Sequence, residues 1–194
     1  MGSESQHVNN HEPIKQQVNI NNVNGNLAFT KVSRLAQRFK RLKEEVECSV
    51  HYNKFIDDFN RYNTKLDGRS MPDKLSDGGF QKRDIDRATY RKHQYVKKLE
   101  RNKLYETAQL IDLELFAIIN LNFETYIEPL IDSDASINEI KVAVKERIID
   151  QIYNLLNEDG MDDTFLNYNV DDLYGMIFFL TGKCHLNWTN YDNL

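Results

Sequence analysis

The segment Ser136-Ile137-Asn138-Glu139, followed by Ile140, Val144, Ile148, Ile152 and Leu155, narrows what this chain can fold into more than any other stretch. Ser-x-x-Glu is the sequence form of a capping box, in which the hydroxyl and the carboxylate satisfy helix amides that otherwise lack partners. Apolar residues three and four apart then fall on one helical face. The pattern predicts an amphipathic helix that ends near Asp159-Gly160.

The same period recurs along the chain. Phe29, Val32, Leu35, Phe39, Leu42 and Val46 predict a long helix, and Tyr52, Phe55, Ile56, Phe59, Tyr62 and Leu66 predict either its continuation or a second one starting near Cys48. Asp67-Gly68 and Met71-Pro72-Asp73 are expected to end it, with a loop that closes at Asp77-Gly78-Gly79. Asp84 to Lys103 reads as a basic helix with Ile85, Ala88, Tyr95 and Leu99 inward. Leu104 to Leu121 is apolar on nearly every side, as expected of a central helix. Pro129 interrupts Phe123 to Ile131, which predicts a short helix or a bend before a turn at Asp132 to Ala135. Val170 to Lys183 is the last and most apolar element.

With 8 Gly and 3 Pro in 194 residues, turn formers for a sheet protein are scarce. The expectation is an all-α fold: an irregular bundle of about five to seven helices with a disordered or extended polar N-terminal tail. Residues 1–28, rich in Asn and Gln, form the tail or linker, and 29–194 form a helical interaction domain. An alternation from Val18 to Asn26 is compatible with a short strand. No period of 20–50 residues repeats, so a solenoid is not indicated.

A net charge of −5 conceals a two-sided distribution. Gln81 to Lys103 carries nine Lys/Arg against three Asp/Glu, whereas Tyr105 to Asp163 carries three against fourteen. Such a dipole can steer a charged partner, or be a pair of solvated faces. The densest apolar run, Met176 to Leu180, is far too short to span a bilayer, and the N-terminus lacks the basic and apolar regions of a secretion signal. A cytoplasmic location without membrane contact is expected, with Cys48 and Cys184 as buried small hydrophobes rather than a disulfide.

Chemical motifs fail on inspection. Asp132-x-Asp134-x-Ser136-x-Asn138 resembles a calcium loop, yet Ile137 stands where Gly is needed and Ala143 where a bidentate Glu is needed. Cys184-His185 is too small a set for zinc, and no nucleophile elbow or phosphate-binding glycine loop occurs. No catalytic residue, metal or cofactor is expected. The basic helix offers Arg83, Arg87, Arg91, Lys97, Lys98 and Arg101, interleaved with Tyr90 and Tyr95, as contacts to nucleic acid or to an acidic partner.

Gly175-Met176-Ile177-Phe178-Phe179-Leu180-Thr181-Gly182-Lys183-Cys184-His185-Leu186-Asn187-Trp188 resembles the closing motif of a C-terminal helical domain of bacterial ABC-three-component conflict systems, the group that includes Lamassu-type antiphage defence. Lys74-Leu75, Arg87-Ala88-Thr89-Tyr90-Arg91-Lys92 and Ile127-Glu128-Pro129-Leu130-Ile131 are similar too, and together the resemblance spans roughly 50–190. It implies a non-catalytic module that docks an effector onto an ABC-type, SMC-like ATPase and a small middle component. Members of this group usually carry an effector domain ahead of the helical one. With about 28 polar residues before the first helix, this chain is expected to be a stand-alone docking subunit or to work with an effector on another protein. In the closing motif, Met176 and Phe179 read as core with Phe178 and Leu180, and Gly175 and Gly182 as sites of close helix approach or a cap; Trp188 reads as covering the end of that core or, with His185, as a partly exposed anchor to the partner. Gly175, Met176, Phe179, Gly182, His185 and Trp188 are the candidate partner interface.

Two other classes compete. A nucleic-acid-binding accessory protein requires a basic face continuing beyond 81–103. A self-assembling protein requires the Val32 to Val46 seam to be left exposed.

Overall fold

The computed structural model describes residues 32–52, 54–64 and 68–190, all within the compact unit Val32–Leu194. Phe29, Leu66, Asp67, the tail at 1–28 and the Val18 to Asn26 alternation lie outside the described residues. The described residues are all helical or irregular, and their helical segments join into 7 continuous helices with no strand.

Helix α1 (Arg34–Glu47) is capped by Ser33, whose hydroxyl accepts from the Ala36 amide at 2.9 Å. Its Leu35, Phe39 and Leu42 are buried, so the expected seam faces inward, while Val32 is exposed. The chain then leaves helical geometry, with Ser49 at a φ of 52°, and α2 (Asp57–Asn63) starts afresh. The two apolar stripes therefore belong to two helices. Cys48, expected inside, is exposed at this break, while Cys184 is buried.

Where a loop was expected, α3 (Met71–Asp77) forms. Pro72 sits in its first turn, where a missing N–H costs nothing, and Ser70 with Asp73 makes a capping box. Pro72 read as a helix breaker is thus a helix starter.

Helix α4 (Lys82–Asn102) lies along α9 (Val170–Gly182), the most extensive helix pairing among the described residues. Gly175 allows it: a Cβ there would stand 2.6 Å from Tyr95 Cβ and 2.8 Å from the Arg91 carbonyl. Asn169 and Asp172 form the capping box of α9.

Helix α5 (Glu106–Asn122) is central, with Ile111, Leu115, Phe116 and Ile119 fully buried. Burying each such side chain contributes about 1.5–3 kcal/mol. It continues through a π-helical segment (Phe123–Ile127) into the short helix α6 (Glu128–Asp132), with Pro129 in the first turn of α6. Pro129 lacks the N–H that would bond the preceding turn, and the wider turn gives its ring room. After a turn with Asp134 at a φ of 55°, the Ser136–Glu139 capping box opens α7 (Ile137–Val144), as expected. A second π segment (Lys145–Ile149) leads into α8 (Asp150–Asp159), which Gly160 ends.

The N-terminal helices are fastened to α5 by polar groups. Arg34 and Arg38 both pair with Glu114 at 2.6 Å, and Arg41 reaches Glu106 at 3.0 Å. The Glu45 carboxylate accepts from the Thr107 amide at 3.1 Å and from its hydroxyl, capping α5 from outside the helix, because Tyr105 at the N-cap offers no side-chain bond. The Gln109 side chain, fully buried, accepts from the Ile56 amide at 2.8 Å and donates to the carbonyls of Lys54 and Lys103.

Candidate functional site

The closing motif folds back on the start of the domain. Trp188, 4% exposed, lies between the edges of Phe80 and Phe123, with ring centroids 5.0 and 5.1 Å away. Its indole N–H donates to Thr181 Oγ1 at 3.0 Å, and its backbone rests on Gly78, where a Cβ would stand 2.7 Å from the Trp188 carbonyl. Of the two readings of Trp188, the structure has the one in which it covers the end of the core, and not the partly exposed anchor. A large aromatic with one donor fits best where the ring is enclosed and the N–H is met, and this site supplies both.

Beside it, the fully buried Lys74 donates to Asn187 Oδ1 at 2.7 Å. Met176 and Phe179 are core, Phe179 stacking on Phe116 at 5.6 Å. Gly182 faces the Lys92 side chain, whose Nζ would lie 2.7 Å from a Cβ there. Of the six candidate interface residues only His185 and Gly182 keep intermediate exposure. The His185 ring leans on Tyr62 at 5.1 Å, and its Nε2 has no hydrogen-bond partner. Partial burial holds its pKa below the usual histidine range.

The basic helix spends half its candidate contacts inside the domain. Arg91 pairs with Asp171 at 2.7 Å and lies over the Tyr174 ring, Lys98 pairs with Asp172, and Arg101 donates to the Phe165 carbonyl at 3.0 Å. Arg83, Arg87 and Lys97 are exposed and make no ion pair among the described residues. The groove along this face is of mixed sign, since Asp171 and Asp172 line it together with Lys97, Lys98 and Arg101.

Two features escaped the sequence reading. Asp112 is fully buried on α5, accepting from the Tyr168 hydroxyl and from Asn102 Nδ2. Burial pushes its pKa up to about 7, against these hydrogen bonds, which favour the ionised form. The Tyr95 hydroxyl lies near the same carboxyl but makes no hydrogen bond. The signal was a single acid inside the apolar run Leu110 to Leu113.

The second is a groove of about 530 Å³ between the two π segments, floored by Tyr126, Leu130, Val142 and Ala143 and edged by Glu139 and Glu146. Arg147 lies across the Tyr126 ring at 5.5 Å. Asn122 Nδ2 donates to the Arg147 carbonyl at 3.0 Å, stitching the second π segment to the end of α5. Nothing in periodicity marks a π turn, so this groove was not legible in advance.

Among the described residues no group of three or more His, Cys, Asp or Glu could hold a metal ion, and no helix is long and apolar enough to cross a membrane.

No curated protein and no solved structure matches the chain. Two of the segments that resemble ABC-three-component domains meet the closing motif: Lys74 reaches Asn187, and Arg91 and Lys92 border Gly175 and Gly182. Residues 70–188 match C-terminal domain 9 of the ABC-three component systems, a range that opens at the Ser70 cap and closes on Trp188, and the chain belongs to that family.

Proposed function

We propose that this protein is a non-catalytic docking module that couples an effector to an ABC-type, SMC-like ATPase and a small middle component of a bacterial antiviral defence complex, in the cytoplasm. Family membership over 70–188 is the observation that carries the reading. The architecture is consistent with it. The first and last parts of the family domain are packed on each other at Gly78 and Trp188, and α1 is tied to α5 through Arg34, Arg38 and Glu45. A coupling module requires such a fastening of α1 to the central helix.

The test is co-purification of the tagged chain with the ATPase and middle component encoded beside it, with nuclease treatment and a salt series. Recovery of the ATPase that survives nuclease supports docking. Recovery of the chain alone overturns it. Recovery of nucleic acid, lost steeply as salt rises, selects the second reading: an accessory protein that holds a phosphate backbone with the unpaired Arg83, Arg87 and Lys97 beside the exposed Tyr90.

A further inference from the structure

We infer that the outward face of α4 is a docking surface of this domain, and that its occupant is an acidic helix of a partner protein. The inference rests on the docking reading for the partner's place in the complex, and on the face itself for the partner's chemistry.

Arg83, Arg87, Tyr90, Gln94, Lys97 and Arg101 follow one another at alternating intervals of four and three residues along α4. At 3.6 residues per turn they fall within about 40° of one line and run for about 27 Å. All six are exposed, and Tyr90, at 63%, is the most exposed aromatic residue among the described ones. The row holds four cations and no acid.

Folding does not account for it. Arg83 and Arg87 are four residues apart, as are Lys97 and Arg101, and like charges at that spacing repel on a helix surface. Arg83 stands in the first turn, where the helix dipole disfavours a cation. Arg83, Arg87 and Lys97 make no ion pair among the described residues, and Arg101 meets the Phe165 carbonyl and ring but no carboxylate.

The chemistry that covers such a row is visible on the same helix. Arg91 and Lys98, seven residues apart, form the neighbouring row, and there Asp171 and Asp172 in the first turn of α9 meet them. Carboxylates on a helix packed alongside α4 are thus how this domain itself neutralises α4 cations. The outer row has the cations without the second helix. A partner helix completes it with Asp or Glu facing Arg83 and Arg87 at one end, Asp or Glu facing Lys97 and Arg101 two heptads on, and an apolar residue over Tyr90 between them.

The row is one helix wide, since Asp86 stands exposed on one flank and Asp171 on the other. Nucleic acid fits it less well. A phosphate backbone is charged at every nucleotide, and here it would cross about 15 Å between Arg87 and Lys97 with no cation to meet it, beside those two acids.

The experiment uses the whole chain and, as probe, a labelled alanine-based helical peptide of roughly 22 residues, followed by fluorescence anisotropy. The peptide carries Glu at the four outer and Leu at the two middle positions of the same spacing, which reads alike in both directions and so tests either helix orientation. Comparison ligands are a permuted peptide of the same composition, a version with Lys for Glu, and labelled single- and double-stranded DNA of matching length. Arg87→Glu and Lys97→Glu reverse charge in the row, and Lys40→Glu makes the same change at an exposed position of α1; each is checked for an unchanged melting temperature. The Glu peptide is expected to bind, with the permuted and Lys peptides at least about fivefold weaker. Arg87→Glu and Lys97→Glu are each expected to weaken binding about fivefold or more, and Lys40→Glu less than about twofold. No saturable binding of the Glu peptide, equal binding of the permuted one, or equal loss in Lys40→Glu overturns the inference. Tighter binding of either DNA than of the Glu peptide, lost in the same two variants, also overturns it and makes the face a nucleic-acid surface. Self-association by sedimentation that Arg87→Glu abolishes overturns it too, since the occupant is then a second copy. The same variants are then tested for co-purification with the ATPase and middle component: retention of both by Arg87→Glu and Lys97→Glu overturns this surface while docking stands, and failure of the unmutated chain to recover the ATPase removes the docking reading whatever the peptide does.

Discussion

Trp188 donates its indole N–H to the hydroxyl of Thr181, which in turn donates to the Ile177 carbonyl one turn back, so the last residue of the family domain is held by the C-terminal turn of α9. Both side chains are buried, and both hydrogen bonds close inside the core at 3.0 and 2.9 Å. Removing the ring leaves a cavity beside Phe80 and Phe123 and takes the indole donor from the Thr181 oxygen, which keeps only its own bond to the Ile177 carbonyl. Trp188→Ala is expected to cost about 3–5 kcal/mol, measured by urea denaturation. Partner binding should fall with it in parallel. His185→Ala, at a half-buried ring whose Nε2 has no partner, should cost well under that. A Trp188→Ala chain with unchanged stability but lost binding would restore the anchor role.

Buried charge gives a pH signature. Asp112 has its pKa raised to about 7 by burial, against a usual value of 3.8. The unfolded chain therefore releases this proton first as pH rises, and binds fewer protons than the folded chain between about pH 4 and 7. The contribution of Asp112 to stability is greatest below pH 4, declines through that window and is flat above it. Asp112→Asn removes this slope. The stability difference between variant and unmutated chain should move in the variant's favour by on the order of a few kcal/mol from pH 4 to pH 8, read from denaturation midpoints. The orphaned Oδ1 of Asn102 supplies a physical reason for a protonated carboxyl: a half-turn of that amide would set an acceptor opposite Asp112. A pH-independent difference would mean the carboxyl stays ionised.

Sequence period alone located α1, α4, α5, α7 with α8, and α9, because each has an apolar stripe or an apolar surround longer than ten residues or a capping box at its start. It missed α3, because Pro72 carries opposite meanings at the two ends of a helix and only the Ser70–Asp73 box decides between them. It could not see the π segments, whose residues have no distinctive spacing. That sequence could not choose between the two readings of Trp188, as core cover or as anchor, has a different reason. Exposure depends on what packs across the chain, and Phe80 and Gly78, which enclose it, lie more than a hundred residues away. Charge was legible as a dipole, but the partition of the basic helix into engaged Arg91, Lys98 and Arg101 and unengaged Arg83, Arg87 and Lys97 required the fold.

Gly175 sits where α9 presses on α4, with no room for a methyl group against a backbone carbonyl and a Cβ. Neither neighbour can swing away as a side-chain tip would. Gly175→Ala should therefore push the two helices apart and destabilise by about 1–3 kcal/mol, even though alanine is the better helix former by about 1 kcal/mol. Thermal melting checks it: a gain in midpoint would show that the helix pair relaxes freely.

The Glu45 carboxylate and the Thr107 amide connect α1, which precedes the family match, to the N-terminus of α5 within it. If α1 transmits displacement to α5, this contact must carry energy beyond that of an exposed ion pair. It has the attributes: Glu45 is only partly accessible, Thr107 is fully buried, and the amide it meets is otherwise uncapped. A lost cap plus an unmet hydroxyl predicts that Glu45→Ala costs about 1–2 kcal/mol, and that a double-mutant cycle with Thr107→Val returns a coupling above about 0.5 kcal/mol. Arg41→Ala, which removes ion pairs to Glu45 and Glu106 on an exposed side chain, should cost less than about 1 kcal/mol. Hydrogen exchange of the α5 amides supplies the functional arm. Faster exchange at the α5 N-terminus in Glu45→Ala, without global unfolding, would show that α1 holds that end of the central helix. Unchanged exchange would place α1 as a passenger on the domain, and coupling would then have to enter through α2 and the Gln109 side chain instead.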